Sequence, residues 1–253
     1  MSAQGNDLGL PGIVHVLPTP EALAEAAASW LARESEESRA EHGYFAIALT
    51  GGSTPKGLYR RLTEPPYREA VAWATWMVFF GDERAVPPDD PQSNYHMAHE
   101  ALLSHVPIPP ERIHRMEAER PDLEEAAREY AALLADTLSK APGGAPRLHC
   151  VLLGLGENGH VASLFPGTPA LEAQRRWTVP GRADYAPFER LTVTFPVINA
   201  AQSVVLLVSG AAKGPALRGV VEGTVPAARV HPAGGVLIWF LDQAAADAMR
   251  AAP

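Results

Sequence analysis

The pattern that most constrains this chain is an apolar run that ends in a glycine-rich or polar loop, because it recurs along the sequence. Such runs include Tyr44–Thr50, Trp76–Phe80, Val151–Gly154 and Ser203–Val208, and helical patterns follow several of them. Short apolar runs bounded by Gly and Pro are typical of buried strands. Strands that alternate with helices form mostly parallel sheets. The sequence therefore predicts an α/β protein with a Rossmann-like, mostly parallel sheet flanked by helices.

Length and continuity favour one domain. The chain has 253 residues, 47% of them hydrophobic, with no convincing linker and no internal repeat. We expect a single domain over residues 1–253, with a loose N-terminus at residues 1–12. The remaining predicted elements are strands at Ile13–Leu17, Arg112–Met116, Leu191–Phe195 and Gly235–Leu241, and helices that begin after Thr19, Ser93 and Asp122.

Charge and cysteine content limit the class of partner. The net charge of −8 argues against a nucleic-acid surface, although a local basic pocket can still bind a small anion. The single cysteine, Cys150, excludes an intrachain disulfide and suits a reducing compartment. The N-terminus resembles no secretory signal, and no apolar run is long enough to span a bilayer. We expect a cytoplasmic protein without membrane partners, either a monomer or a small homo-oligomer.

The stretch Val151–Pro169, VLLGLGENGHVASLFPGTP, is predicted to deliver Asn158 and His160 from a strand end into a site. Parallel α/β sheets bind ligands beyond the carboxyl ends of their strands. The glycines match the spacing of a dinucleotide fingerprint, but prolines follow closely and no carboxylate stands about 20 residues later to hold a ribose. We therefore predict no nucleotide cofactor and expect His160 to be the working residue.

A second loop, Gly51–Pro55, places Gly52, Ser53 and Thr54 between a strand and a helix. Backbone N–H groups and the dipole at a helix N-terminus favour an anion. An ordinary Ser/Thr helix cap explains this stretch equally well. The cations Arg190 and Lys213, predicted one before and one after a strand, favour a phosphate site.

Two further polar segments allow a functional and a structural interpretation. Asp82 and Arg84 follow the strand Trp76–Phe80 and form either a self-paired turn or a site in which Arg84 stabilises an oxyanion. His96 and His99 have helical spacing but no third ligand, so we predict exposed histidines and no metal.

Five motifs in this order resemble the glucosamine-6-phosphate isomerase/6-phosphogluconolactonase family over about residues 13–245. They are GGSTPKGLYRRL, FFGDERAVPPDDPQSNYHMAHEALL, VLLGLGENGHVASLFPG, RLTVTFPVINAA and VSGAAKGPALRGVVEG. The resemblance implies cofactor-free hydrolysis of 6-phosphoglucono-δ-lactone, a small phosphorylated sugar lactone, to 6-phosphogluconate in the oxidative pentose phosphate pathway.

The resemblance also implies roles for individual residues. His160 would be the general base and Arg84 would face the tetrahedral oxyanion. Ser53, Thr54, Arg190 and Lys213 would surround the phosphate. Asp82 would contact sugar hydroxyls or tune Arg84.

The sequence departs from the family pattern at Asn158, where the family usually has aspartate. We expect this amide to be tolerated in lactone hydrolysis and to be more damaging to isomerisation. The isomerase branch carries glutamate five residues after its histidine, where this chain has Phe165. The lactonase branch is therefore favoured. The alternatives are an amino-sugar phosphate isomerase or deaminase and a non-catalytic sugar-phosphate sensor. A sensor that acts in a transcription regulator would need a DNA-binding module, and we expect the dozen residues before the first strand to be too few to form one.

Overall fold

The computed structural model describes residues 7–251, which form two β-sheets and flanking helices. Nine strands are present among these residues: β1 Ile13–Leu17, β2 Phe45–Leu49, β3 Trp76–Phe80, β4 Asp82–Arg84, β5 Cys150–Gly154, β6 Thr178–Arg182, β7 Glu189–Val193, β8 Ser203–Val208 and β9 Val236–Asp242. The α-helices are α1 Pro20–His42, α2 Ser53–Leu62, α3 Tyr67–Ala70, α4 Asn94–Ala98, α5 Leu123–Thr137, α6 Phe195–Ile198, α7 Gly214–Glu222 and α8 Gln243–Arg250.

The main sheet has six strands in the order β1-β9-β8-β5-β2-β3, and every pairing in it is parallel. All residues of β2 and β8 are buried, as expected for central strands covered on both faces. The predicted Rossmann-like, mostly parallel α/β fold is confirmed. Because the strands are parallel, their carboxyl ends meet at one edge, where the predicted site loops are found.

Helix starts follow the capping residues in the sequence. The Thr19 hydroxyl accepts a hydrogen bond from Ala22 N, and Pro20 occupies the first turn of α1. The Ser93 hydroxyl accepts from His96 N at 3.1 Å, and the Asp122 carboxylate accepts from Glu125 N at 2.9 Å. All three predicted helix starts are confirmed.

A second, antiparallel sheet of three strands, in the order β4-β7-β6, was not predicted. Only Gly81 separates β3 from β4, so a three-residue strand is hard to detect after a longer one. The strand predicted at Leu191–Phe195 begins at Glu189 and ends at Val193, which places Arg190 inside β7 and not before it. Arg84 likewise lies inside β4 and not in a loop.

The strand predicted at Arg112–Met116 is wrong. Residues Pro110–Arg112 form a 3-10 turn, and Ile113 makes only an isolated bridge to Val78. The two prolines at 109 and 110 remove backbone donors just before the segment, which disfavours a ladder.

The N-terminal segment is anchored from its first described residues. Residues 1–6 of the expected loose stretch lie outside the described part of the chain, whereas Leu8 and Leu10 are buried in the core. Trp239 Nε1 donates to the Pro11 carbonyl at 2.8 Å, tying the segment to β9. Among residues 7–251, no helix is long and apolar enough to cross a membrane.

Candidate active site

The carboxyl ends of β2, β3, β5 and β8 surround a polar cleft of about 240 Å³. Loops after these strands supply one wall and the small antiparallel sheet supplies another. The side chains and backbone that line the cleft include Gly52, Ser53, Thr54, Asp82, Arg84, Asn94, His160, Ser163, Phe165, Tyr185, Arg190 and Lys213. The structure therefore brings together every predicted site residue except Asn158, which lies behind His160 and contacts it.

The Asn158 amide fixes the tautomer of His160. Asn158 Oδ1 accepts from the backbone N of His160 at 3.2 Å and lies 2.6 Å from His160 Nδ1. A backbone N–H can only donate, so the amide atom facing it is the oxygen. The same oxygen can only accept from Nδ1, so Nδ1 carries the proton and Nε2 keeps its lone pair.

The imidazole of His160 is held between a glycine and a phenyl ring. Its ring stacks on Phe165 with centroids 4.1 Å apart. On the other side, a Cβ added to Gly156 would lie 2.0 Å from Nδ1, a distance no side chain can tolerate. Glycine at 156 therefore permits the close approach of the imidazole ring.

Burial lowers the pKa of His160, and the surrounding charges oppose one another. Burial is the largest cause, Asp82 and Asp184 raise the pKa, and Lys213 and Arg190 lower it. A lowered pKa favours the neutral imidazole that a general base requires.

Asp82 is fixed by two side chains from different parts of the chain. Asn94 Nδ2 donates to Asp82 Oδ1 at 3.1 Å, and Ser163 Oγ donates to Oδ2 at 2.6 Å. The predicted alternative of a self-paired Asp82–Arg84 turn is not what the structure shows, because the carboxylate is held by these two groups.

Glu83, which the sequence left without a role, anchors the segment that carries Arg84. Its buried carboxylate accepts from the backbone N of Arg84, Asn94 and Tyr95 at 2.8, 2.7 and 2.8 Å and from Ser93 Oγ at 3.0 Å. Burial is the largest influence on this group and raises the pKa of Glu83. Strand β4 and the start of α4 are therefore joined through one carboxylate.

Two arginines face the cleft from the small sheet. Arg84 and Arg190 are directly paired in the antiparallel register of β4 and β7. Arg190 is 1% exposed, and its Nη2 has no hydrogen-bond partner among the described residues. Burial, followed by the charge of Arg84, lowers the pKa of Arg190. Two adjacent guanidinium groups with an unused donor form a ready site for an anion.

The glycine-rich loop after β2 also lines the cleft. Gly52 is the N-cap of α2 with φ 110°, a conformation that favours glycine, and makes no side-chain cap. The alternative of an ordinary Ser/Thr cap is therefore wrong, since Ser53 and Thr54 are already inside the first turn. Their N–H groups belong to the unpaired donors of a helix N-terminus.

Lys213 reaches the cleft from the loop after β8. Asp242 at the end of β9 holds that loop, accepting from Ser209 Oγ at 2.5 Å and from Gly210 N at 3.0 Å. The same carboxylate caps α8 through Ala245 N at 2.8 Å. One buried acid thus fixes the position of the lysine-bearing turn.

Besides Glu83 and Asp242, four residues near the site were not predicted from the sequence. Asn94 and Ser163 lie within two of the family motifs, in SNY and SLFPG, so those motifs could have indicated them as site residues. Tyr185 and Asp184 belong to the loop between β6 and β7, where no motif marks them.

His96 and His99 lie on one helical segment. His96 Nε2 lies 3.5 Å from Glu100 of the same helical segment. Across residues 7–251, no group of three or more His, Cys, Asp or Glu side chains could hold a metal ion.

The fold and the cleft define an α/β enzyme with a small-molecule site at the carboxyl edge of a parallel sheet. The model of the family described as "Glucosamine-6-phosphate isomerases/6-phosphogluconolactonase" matches residues 18–239. The chain belongs to this enzyme family.

Individual relatives agree with this assignment. A 6-phosphogluconolactonase of Synechocystis sp. is 42% identical over 242 residues, covering 94% of this chain and 98% of the relative. The probable 6-phosphogluconolactonase 3, chloroplastic, of Oryza sativa subsp. indica is 40% identical, covering 91% of this chain and 74% of the relative. The solved 6-phosphogluconolactonase of Trypanosoma brucei superposes with a TM-score of 0.83 at 30% identity, covering 94% of this chain and 98% of that one.

Proposed function

We propose that this protein hydrolyses 6-phosphoglucono-δ-lactone to 6-phosphogluconate, the second step of the oxidative pentose phosphate pathway. The observation that carries the proposal is the placement of His160, whose Nδ1 is held by Asn158 Oδ1, in a cleft that also presents two arginines, a lysine and a helix N-terminus. The lactonase names of the Synechocystis and Trypanosoma relatives support the same substrate.

The chemistry requires one base and one oxyanion partner. Nε2 of His160 takes a proton from water as the water oxygen attacks the lactone carbonyl carbon. The carbonyl oxygen becomes an oxyanion, which the Arg84 guanidinium stabilises. The intermediate then collapses by breaking the bond between the former carbonyl carbon and the ring oxygen. The imidazolium returns its proton to that oxygen, which becomes the free hydroxyl of the open-chain acid.

The remaining residues bind substrate. The first turn of α2, with Ser53 and Thr54, supplies N–H and hydroxyl donors for the phosphate, and Arg190 and Lys213 supply charge. Asp82, fixed by Asn94 and Ser163, is an acceptor for sugar hydroxyls.

Phe165 favours hydrolysis over isomerisation. Its ring packs on His160 at the position where the isomerase branch has glutamate. A phenyl ring can orient the imidazole but cannot carry a proton between carbon atoms. The amino-sugar isomerase alternative therefore lacks an acid or base at this position.

The direct test is a lactonase assay with freshly generated 6-phosphogluconolactone, corrected for spontaneous hydrolysis. Replacing His160 with Ala should lower kcat by about 10²–10⁴-fold while leaving the affinity for 6-phosphogluconate largely intact. Full activity of the variant would remove His160 as the base. Ammonia release from glucosamine 6-phosphate at a rate rivalling lactone hydrolysis would favour the isomerase or deaminase alternative.

A cytoplasmic location and a monomeric or small homo-oligomeric state are part of this proposal. One relative is named as chloroplastic, so the compartment varies among related proteins. Fractionation of the producing cells and light scattering of the purified protein test the two points.

A further inference from the structure

Within the described part of the chain, the hydrogen-bond partner of the His160 imidazole is the neutral amide of Asn158 and not a carboxylate. The charged groups that act on His160 are Asp82 from β4, Asp184 from the loop between β6 and β7, Arg190 from β7 and Lys213 from the turn after β8. The carboxylate of Asp82 accepts from Asn94 and Ser163. Asp184 is the one whose carboxylate contacts Asn158.

The orientation of the amide connects these two groups. Because the backbone N of His160 fixes Oδ1 of Asn158, the amide NH₂ points the other way. That Nδ2 donates to Asp184 Oδ2 at 3.4 Å. The carboxylate of Asp184, the amide of Asn158 and Nδ1 of His160 thus form one chain of hydrogen bonds that ends on the imidazole.

The backbone around Asp184 is tied to the site, although the side chain is exposed. Ala183 N donates to the Phe188 carbonyl at 2.7 Å, closing the loop at its base. The guanidinium of the buried Arg190 bonds the Pro187 carbonyl. The ring of Tyr185, the next residue, packs edge-on against Phe165 with centroids 5.8 Å apart.

We propose that Asp184 is a positioning residue for His160, acting through Asn158 as a remote substitute for a directly contacting aspartate. This inference rests on the proposed function of His160 as the general base. The carboxylate polarises the amide, so that Oδ1 holds the Nδ1 proton more strongly and the imidazolium is stabilised as it forms. Since Asp184 is exposed, salt screens part of its effect.

Asp184→Asn tests the proposal because it removes the charge while keeping the shape. In a plot of kcat/KM against pH, the acid limb should move by about 0.5 pH unit to lower pH, since the loss of a negative charge makes His160 less basic. The plateau kcat should fall by roughly 3-fold, because a weaker base takes the water proton less readily. A defect of folding alone would lower the plateau without moving the limb.

Two other variants test whether Asp184 acts on His160 through Asn158. Adding Asn158→Asp to Asp184→Asn puts a carboxylate directly against Nδ1 and should return the acid limb to, or above, its original pH. Glu157→Gln is the control, because Glu157 is an exposed acid of the same loop as Asn158 and loses the same charge. An acid limb that moves equally in Glu157→Gln and Asp184→Asn would overturn the proposal.

A nuclear magnetic resonance titration of His160 separates this inference from the proposed activity. The imidazole nitrogen shifts of the wild-type protein should report the Nδ1–H tautomer, and Asp184→Asn should lower the titration midpoint whether or not lactone is hydrolysed. An unchanged midpoint in an active lactonase would refute the role of Asp184 alone. A protein without lactonase activity would refute the proposed function alone.

Discussion

Arg84 on β4 lies directly opposite Arg190 on β7, so two guanidinium groups share one rung of the small antiparallel sheet. Like charges directly opposite each other destabilise a sheet unless an anion lies near them. Among residues 7–251, the buried Nη2 of Arg190 has no hydrogen-bond partner, so a donor is left for such an anion. This pairing is the strongest structural reason to expect a negatively charged ligand.

Removing a cation of the phosphate site should affect phosphorylated substrate selectively. Lys213→Ala is expected to raise KM for 6-phosphogluconolactone by about 10–100-fold, the size of a lost charged hydrogen bond. Activity on unphosphorylated gluconolactone should change little. Steady-state kinetics on both lactones provide the measurement, with Lys56→Ala, a lysine outside the cleft lining, as the control. Equal losses on the two lactones would contradict the phosphate assignment.

Gly156→Ala should displace the base without unfolding the protein. The new Cβ would meet His160 Nδ1 at 2.0 Å and Cε1 at 2.2 Å, so the imidazole must move. We expect kcat to fall by about 10²-fold, because a small misplacement of a catalytic group is costly. Gly57→Ala is the matched control, since a Cβ at Gly57 meets nothing within 4 Å. Equal kcat values for the two variants would show that the contact with Gly156 does not matter.

Glu83→Gln should destabilise the fold at the site. Each carboxylate oxygen accepts two hydrogen bonds, and the substituted amide would turn one acceptor into a donor facing donors. The expected loss is about 2–4 kcal/mol in the free energy of unfolding. Urea denaturation measures it, and Glu100→Gln, an exposed change in a neighbouring helical turn, should cost under about 0.5 kcal/mol. A loss for Glu83→Gln no larger than that of the control would refute the anchoring role.

Acid should weaken the fold through a histidine far from the site. Ala46 N donates to Nδ1 of the buried His149, and burial, followed by His42 and Arg147, lowers the pKa of His149 to about 4. The unfolded chain therefore binds a proton near pH 6.5 that the folded protein accepts only near pH 4. Stability should be retained above about pH 6.5 and lost as pH falls from there toward 4, by about 3 kcal/mol.

The substitution His149→Asn isolates that contribution, because the amide oxygen can still accept from Ala46 N but does not titrate. The free energy of unfolding should then fall less between pH 7 and pH 4.5 than in the wild-type protein. His231→Asn makes the same change at an exposed position and should leave the wild-type pH dependence in place. An identical pH dependence for His149→Asn and the wild-type protein would exclude His149 as a source of acid sensitivity.

The parallel sheet was predictable because its strands are long apolar runs between glycine and proline. Strands β1, β3 and β8 have the predicted bounds, and Thr19, Ser93 and Asp122 cap the helices as expected. The small sheet was not predictable in the same way. Its strand β4 has three residues, all charged, so no apolar pattern marks it. Arg112–Met116 shows the opposite error. Its sequence has a strand-like pattern, but the segment makes only an isolated bridge, between Ile113 and Val78.

The sequence by itself determined the α/β fold, the family and the location of His160 at a strand end, because these depend on local patterns of apolar residues, glycines and motif spacing. Only the tertiary structure decided that Arg84 pairs with Arg190 and that Asp184 contacts Asn158. Such contacts join residues far apart in the chain, and their spacing is set by sheet register and loop closure. The residue that departed from the family pattern, Asn158, could therefore be interpreted only after folding had brought a carboxylate beside it.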